Sequence, residues 1–358
     1  MILNLLLFCL IFSMKAQEES WEQNLLNKMT LQEKIAQLFV IRVNYNSSPD
    51  EFNYIKKLVS EIGVGGIIPL KRGTVEIHKK ILKELHSCSK YPLIVMQDAE
   101  WGMQMRLKDL APFAMAGEMI RIDEEDRYEK IYEWSRAIAK ECKELGVHMN
   151  LAPVVDVNNN PKNPVIGIRS FSDDPYEVTK CAYYFIKGHH DENVLTCIKH
   201  FPGHGDTTVD SHIALPIIVH DIDHLNKVEL VPFKELIKAA DAVMTAHIYL
   251  PKLEQENNVP ASLSYAITTE LLQNQLECKS LIITDALDMG AITMGCGPDE
   301  AAEKAFLAGA DILLCCEDVI GGIKKIEELI KNNRVNEQEL DRRVMKILTI
   351  KKERKLTN

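Results

Sequence analysis

Short apolar runs recur along the chain at 37–43, 65–70, 93–97, 148–153, 194–199, 242–247, 280–284 and 311–315. Between them lie longer amphipathic stretches, at 74–88, 124–145, 175–190, 268–276 and 299–307, patterned as helices. Runs that are apolar throughout, rather than alternating, suit strands covered on both faces, and strands separated by helices pair in parallel. Eight such runs predict a single (β/α)8 TIM-type barrel rather than an open doubly wound α/β sheet. No repeat, low-complexity tract or Pro/Gly-rich linker interrupts 20–350, so 17–358 is expected to form one catalytic barrel domain.

A barrel places its chemistry at the C-terminal ends of its strands. The polar residues that close the apolar runs are Asp98, Asn150, Lys199 with His200, His247 and Asp285. Turn composition explains one such coincidence but not five together.

The densest stretch, KHFPGHGDTTVDSH, begins at Lys199 and ends at His212. It sets three histidines and two aspartates in a loop, with Gly203 and Gly205 open to conformations that other residues avoid. The residues alone leave three readings: a metal site, an acid/base site in which Asp210 orients His212, or a structural loop whose histidines cap backbone groups.

Taken with its continuation to Pro216, this stretch resembles the signature of family 3 glycoside hydrolases, in the β-N-acetylglucosaminidase branch. Further segments agree in order and spacing. They are Gln97-Asp98-Ala99-Glu100 with Arg106 downstream, the run from Asn150 to Asp156, the run from Ile166 to Phe171, Met244-Thr245-Ala246-His247, the run from Pro260 to Ser264, and Ile283-Thr284-Asp285-Ala286-Leu287. The resemblance covers nearly the whole chain after the first segment. It implies that Asp285 is the nucleophile, since a carboxylate can trap an oxocarbenium-like carbon as a glycosyl ester. It also implies that His212 is the acid/base residue and Asp210 its partner, a carboxylate that favours the imidazolium and fixes its tautomer.

The same resemblance implies that Asp98, Arg106, Arg169, Lys199 and His200 bind the sugar. Charged donors and acceptors aimed at hydroxyls discriminate against analogues that lack them. For Arg169 and Lys199 the alternative is a structural ion pair. His204 and His247 are expected to support loops. Two departures stand out: Met103 where the family often has Arg, and Trp101 where it often has Gly, a ring able to stack on a sugar at the rim. The activity implied is that of a retaining exo-β-N-acetylglucosaminidase acting on cell-wall fragments or chitin-type oligosaccharides. No cofactor and no catalytic metal are implied.

The chain of 358 residues carries a formal net charge of −10, which argues against nucleic-acid binding, and a small oligosaccharide is the partner that the resemblance implies. The apolar segment 2–14, followed by Ala16 and a polar run, reads as a signal peptide covering 1–16. A periplasmic or secreted protein is therefore expected, with no stable membrane insertion after cleavage. Nine cysteines are present without CxxC spacing, and no essential disulfide is expected. Cys315 and Cys316 are expected to point to opposite faces of a strand. Competing readings are a phosphorylase or β-glucosidase using the same site, a metal-dependent hydrolase built on the His/Asp loop, and a sugar-binding protein without catalysis.

Overall fold

The computed structural model describes residues 19–356, so the expected signal peptide lies outside the described residues. Eight strands form: β1 (Phe39–Asn44), β2 (Gly66–Leu70), β3 (Ile94–Gln97), β4 (Met149–Asn150), β5 (Leu195–Phe201), β6 (Ala242–Thr245), β7 (Leu281–Thr284) and β8 (Leu313–Leu314). They run in the order β7-β6-β5-β4-β3-β2-β1-β8, every pair parallel. The ring closes where the Thr284 N–H donates to the Ile312 carbonyl at 3.0 Å and the Leu314 N–H donates to the Thr284 hydroxyl at 3.1 Å. The expected barrel is therefore present, with all eight strands within a few residues of their sequence positions.

Helices Val75–Cys88, Glu124–Glu144, Pro175–Asp191, Pro298–Ala308, Val319–Lys331 and Glu337–Glu353 surround it. Their starts are chemically marked. Thr74, Asp174, Asp318 and Asn336 each accept a backbone N–H from the first turn, satisfying donors that have no partner inside the helix. Among the described residues no helix is long and apolar enough to cross a membrane.

Two local expectations are corrected. The stretch expected as an ordinary helix at 268–276 is wound as a π-helix over Ala266–Gln275. Thr269 donates to the Ala308 carbonyl at 2.7 Å and Gln273 to the Gly309 carbonyl at 2.9 Å, a tertiary tie that the local pattern does not display. Cys315 does not continue β8: it takes φ +54 immediately after its N–H bonds to the Val40 carbonyl at 2.9 Å. The Cys315–Cys316 pair is thus a buried turn rather than two faces of a strand. The eight cysteines of the described residues are free thiols.

Lys351 sits fully buried at the foot of the barrel, where Nζ donates to Gln37 Oε1 at 2.7 Å. Burial pushes its ammonium down to about 7. An unfolded lysine titrates near ~10.4, so the folded state is penalised most below pH 7 and is relieved as pH climbs toward ~10. The stability advantage of Lys351→Met over wild type is expected to shrink steadily between pH 7 and pH 10 in thermal melts. A pH-independent difference would contradict this.

Candidate active site

At the C-terminal end of the barrel the strand ends surround a cavity of about 540 Å³, within the size range of small-molecule sites. Asp98, Arg106, Arg169, Lys199, His200, His212 and Asp285 all line it, together with Glu100, Trp101, Arg42 and Asp288. A larger recess of about 850 Å³ lies beside Leu281 and Lys346, at the opposite end of β7 from Asp285.

One wall of the cavity is an ionic cluster. Lys199, at the end of β5 and almost wholly buried, places Nζ 3.0 Å from Asp98 Oδ1 and 2.8 Å from Glu100 Oε1. Arg106 holds the other Asp98 oxygen at 2.8 Å. Arg169 takes Glu100 with two parallel bonds, Nε to Oε2 at 2.9 Å and Nη2 to Oε1 at 2.8 Å, the fork geometry that suits a carboxylate. Three cations face two carboxylates. Burial opposes the charge on Asp98, but Lys199 and Arg106 overcome it and hold the carboxyl at about 2. Glu100 is driven down further by Arg169 and Lys199 against the same opposition. Ion pairing and a sugar-binding position are therefore not alternatives for Arg169 and Lys199, because the paired groups border the open cavity.

Beside this wall lies His200. Its Nδ1 donates to Asp156 Oδ2 at 2.6 Å, leaving Nε2 toward Arg169 Nη2 at 3.4 Å. Asp156 is fully buried and also accepts the backbone N–H of His204 at 2.6 Å, so one carboxylate fixes both the ring and the start of the loop. Gly203 takes φ +133 and packs directly on Glu229, where a Cβ would lie 2.6 Å from a side-chain carbon. Gly205 serves close approach instead: a Cβ there would meet the Val157 carbonyl at 1.7 Å.

Asp285 follows β7 and is half-buried. Oδ1 accepts the Ala286 N–H at 2.8 Å. Burial would raise its carboxyl, but His247, His200 and that N–H outweigh it and keep it below the ordinary carboxylate value. His247, expected to support a loop, braces the turn that follows Asp285. Its Nε2 donates to the Ala286 carbonyl at 2.9 Å while Nδ1 faces the Ser262 hydroxyl at 2.7 Å. His204 is likewise held internally, by the Thr207 hydroxyl at 2.7 Å, and its buried ring is pushed down to about 4.

His212 reaches the cavity from the loop, its side chain 66% exposed. Nδ1 lies 2.8 Å from Asp210 Oδ1, which also accepts the His212 backbone N–H at 2.9 Å. Burial works against the Asp210 charge, and the His212 N–H groups more than offset it, so the carboxyl titrates low. The loop is docked on the segment after Asp285: the Ala291 N–H donates to the Ser211 carbonyl at 3.1 Å. Loop imidazole and strand-end carboxylate therefore share one cavity.

Asn150, like His247, closes a strand without lining the cavity. Its amide clamps the Ala99 backbone in both directions at 3.0 Å and so sets the turn bearing Asp98 and Glu100. Sequence reasoning gave no role to Glu100 or Asp156, although both stand inside recognised segments. It also passed over Arg42, whose Nη2 lies 2.5 Å from Asp288 Oδ2 across the cavity. A charge inside the otherwise apolar run 39–43 was the available signal.

Residues 30–350 match the profile of the glycosyl hydrolase family 3 N-terminal domain. Beta-hexosaminidase A of Pseudoalteromonas piscicida is 36% identical over 327 residues, covering 83% of this chain and 54% of that protein. Beta-hexosaminidase of Idiomarina loihiensis is 30% identical over 276 residues, covering 76% and 82%. Among solved structures, a family 3 β-N-acetylglucosaminidase from Paenibacillus sp. superposes with TM-score 0.82 at 35% identity, covering 92% of this chain and 64% of that one. The chain thus spans only about half to two thirds of the length of two of these relatives.

Proposed function

The chain belongs to glycosyl hydrolase family 3, and from that premise we infer that it is a retaining exo-β-N-acetylglucosaminidase. The observation that carries this reading is the single cavity lined by Asp285, by His212, whose ring Asp210 holds, and by the Asp98–Lys199–Glu100–Arg169 wall. Each Asp98 oxygen, already holding one cation, keeps lone pairs for sugar hydroxyls, and Lys199 has a third N–H to donate. The buried Lys199–Glu100 pair limits the cavity on that side, which suits a terminal sugar.

In the first step an Asp285 oxygen bonds to the anomeric carbon as the glycosidic C–O bond breaks, and the His212 imidazolium delivers its proton to the leaving oxygen. In the second, neutral His212 takes a proton from water. The water oxygen bonds to the anomeric carbon, and the Asp285 ester bond breaks. Asp210 holds the imidazole in the tautomer and orientation both steps need. With the export expected from the leader, cell-wall fragments and chitin-type oligosaccharides are the substrate classes available.

His212→Ala is expected to lower kcat/KM for an aryl β-N-acetylglucosaminide by ~10²–10⁴-fold when the leaving phenol is weakly acidic. The loss should shrink sharply with a strongly acidic phenol, which leaves without protonation. An equal loss for both leaving groups would rule out the acid role. The reading as a whole is tested by release of N-acetylglucosamine with retained β-configuration, monitored by NMR. Well-folded protein with no turnover, or product appearing only when phosphate is the acceptor, would defeat it.

A further inference from the structure

Behind the loop that carries Asp210 and His212, two histidines and two carboxylates meet outside the catalytic cavity. His220 and His224 stack with ring centroids 3.8 Å apart and planes 16° from parallel. One ligand atom of each lies within 4.8 Å of the other and of a Glu229 carboxylate oxygen. Asp206 Oδ2 sits 2.6 Å from His220 Nε2. None of the four residues lines the cavity of Asp285.

The polar groups of this cluster are left incomplete. The Glu229 side chain is wholly buried; Asn159 Nδ2 donates to Oε1 at 3.1 Å, while Oε2 has no hydrogen-bond partner. His224 Nε2 is shielded from solvent and also unpartnered, 3.6 Å from Glu229 Oε1 and beyond hydrogen-bond length. A buried carboxylate oxygen and a buried ring nitrogen without partners are both costly. A cation bound by that ring nitrogen and by the Glu229 carboxylate satisfies both. The 3.6 Å between His224 Nε2 and Glu229 Oε1 is close to the ~3.4 Å edge of a tetrahedron whose N and O ligands lie ~2.0–2.2 Å from zinc. Two carboxylates balance a divalent charge, and two stacked imidazoles avoid mutual repulsion only if they are not both cationic. Asp206 against His220 matches the carboxylate–histidine pairing that orients metal-bound rings.

We propose that His220, His224 and Glu229, with Asp206 supporting His220, bind one divalent transition-metal ion of the zinc class, which staples together the two limbs of the acid/base loop. Asp206 lies on the limb entering the loop, His220 and His224 on the limb leaving it, and Glu229 packs on Gly203 at its base. The ion stays outside the chemistry, so this assignment is independent of which sugar is cleaved.

The test uses the full chain, stripped with chelator and titrated with Zn²⁺ by calorimetry, with Co²⁺ absorption reporting ligand type. One equivalent is expected to bind, with slower amide exchange across 204–224 in the loaded protein. Glu229→Gln and His224→Ala should each weaken binding by ~10–100-fold or more, and Asp206→Asn by ~10-fold. The double variant Asp210→Ala/His212→Ala should bind as wild type does. If His224→Ala fails to fold by circular dichroism, His220→Asn takes its place with the same expected loss. Absence of stoichiometric binding overturns the proposal, as does binding that survives Glu229→Gln and His224→Ala or is lost with the Asp210/His212 pair.

Discussion

Asp285→Ala is expected to lower turnover of an aryl β-N-acetylglucosaminide by ~10⁴-fold or more, the scale on which a covalent nucleophile is missed. Asp285 is suited to the attack because its surroundings keep it ionised. His247 and His200 offset its burial, and the Ala286 N–H fixes the direction of one oxygen. Truncation to Ala removes the carboxylate and leaves the cavity wall otherwise in place, so a small anion can stand where it stood. Added azide should restore part of the rate and give the α-glycosyl azide, because azide then attacks from the nucleophile's side. In His212→Ala, azide would instead intercept the glycosyl-enzyme and give the β-azide. The two products, separated by NMR, assign the two roles independently. Wild-type turnover in Asp285→Ala, or the β-azide from that variant, would remove Asp285 from the mechanism.

Lys199→Met is expected to destabilise the fold by about 3–5 kcal/mol, the cost of leaving buried carboxylates short of a partner. The lysine is 3% exposed and serves Asp98 and Glu100 together, so both lose charge compensation at once. Arg106 and Arg169 still hold their own carboxylates, which keeps the chain foldable and the loss measurable by denaturant titration. The midpoint of Arg106→Met should move much less, because Arg106 is more exposed and serves only Asp98. A Lys199→Met midpoint within error of wild type would show that the cluster is solvated rather than buried.

The barrel was legible because its strands are apolar on both faces and their ends are punctuated by polar groups. Asp98, Lys199 and Asp285 could be placed from that rule before any contact was known. What the sequence hid was partnership. Asp98 and Lys199 stand 101 positions apart and Glu100 and Arg169 stand 69 apart, and only the curvature of the sheet brings them together. Asn150 shows the converse error of the same rule: it ends a strand, yet its amide is spent on the Ala99 backbone. The π-wound segment at 266–275 was illegible for a related reason, since the carbonyls that Thr269 and Gln273 reach belong to the turn at Ala308–Gly309.

Asp285 is seated by the strand ladder, its N–H donating to the Thr245 carbonyl at 2.9 Å, whereas His212 arrives on a loop that beyond Gly203 takes no backbone hydrogen bond from a strand. The barrel can therefore keep Asp285 in place while the imidazole proposed as proton donor is exchanged for another side chain on a different loop. A lineage built this way can shift its working pH or its acceptor by rewriting one loop, without reopening the core that took the whole chain to assemble.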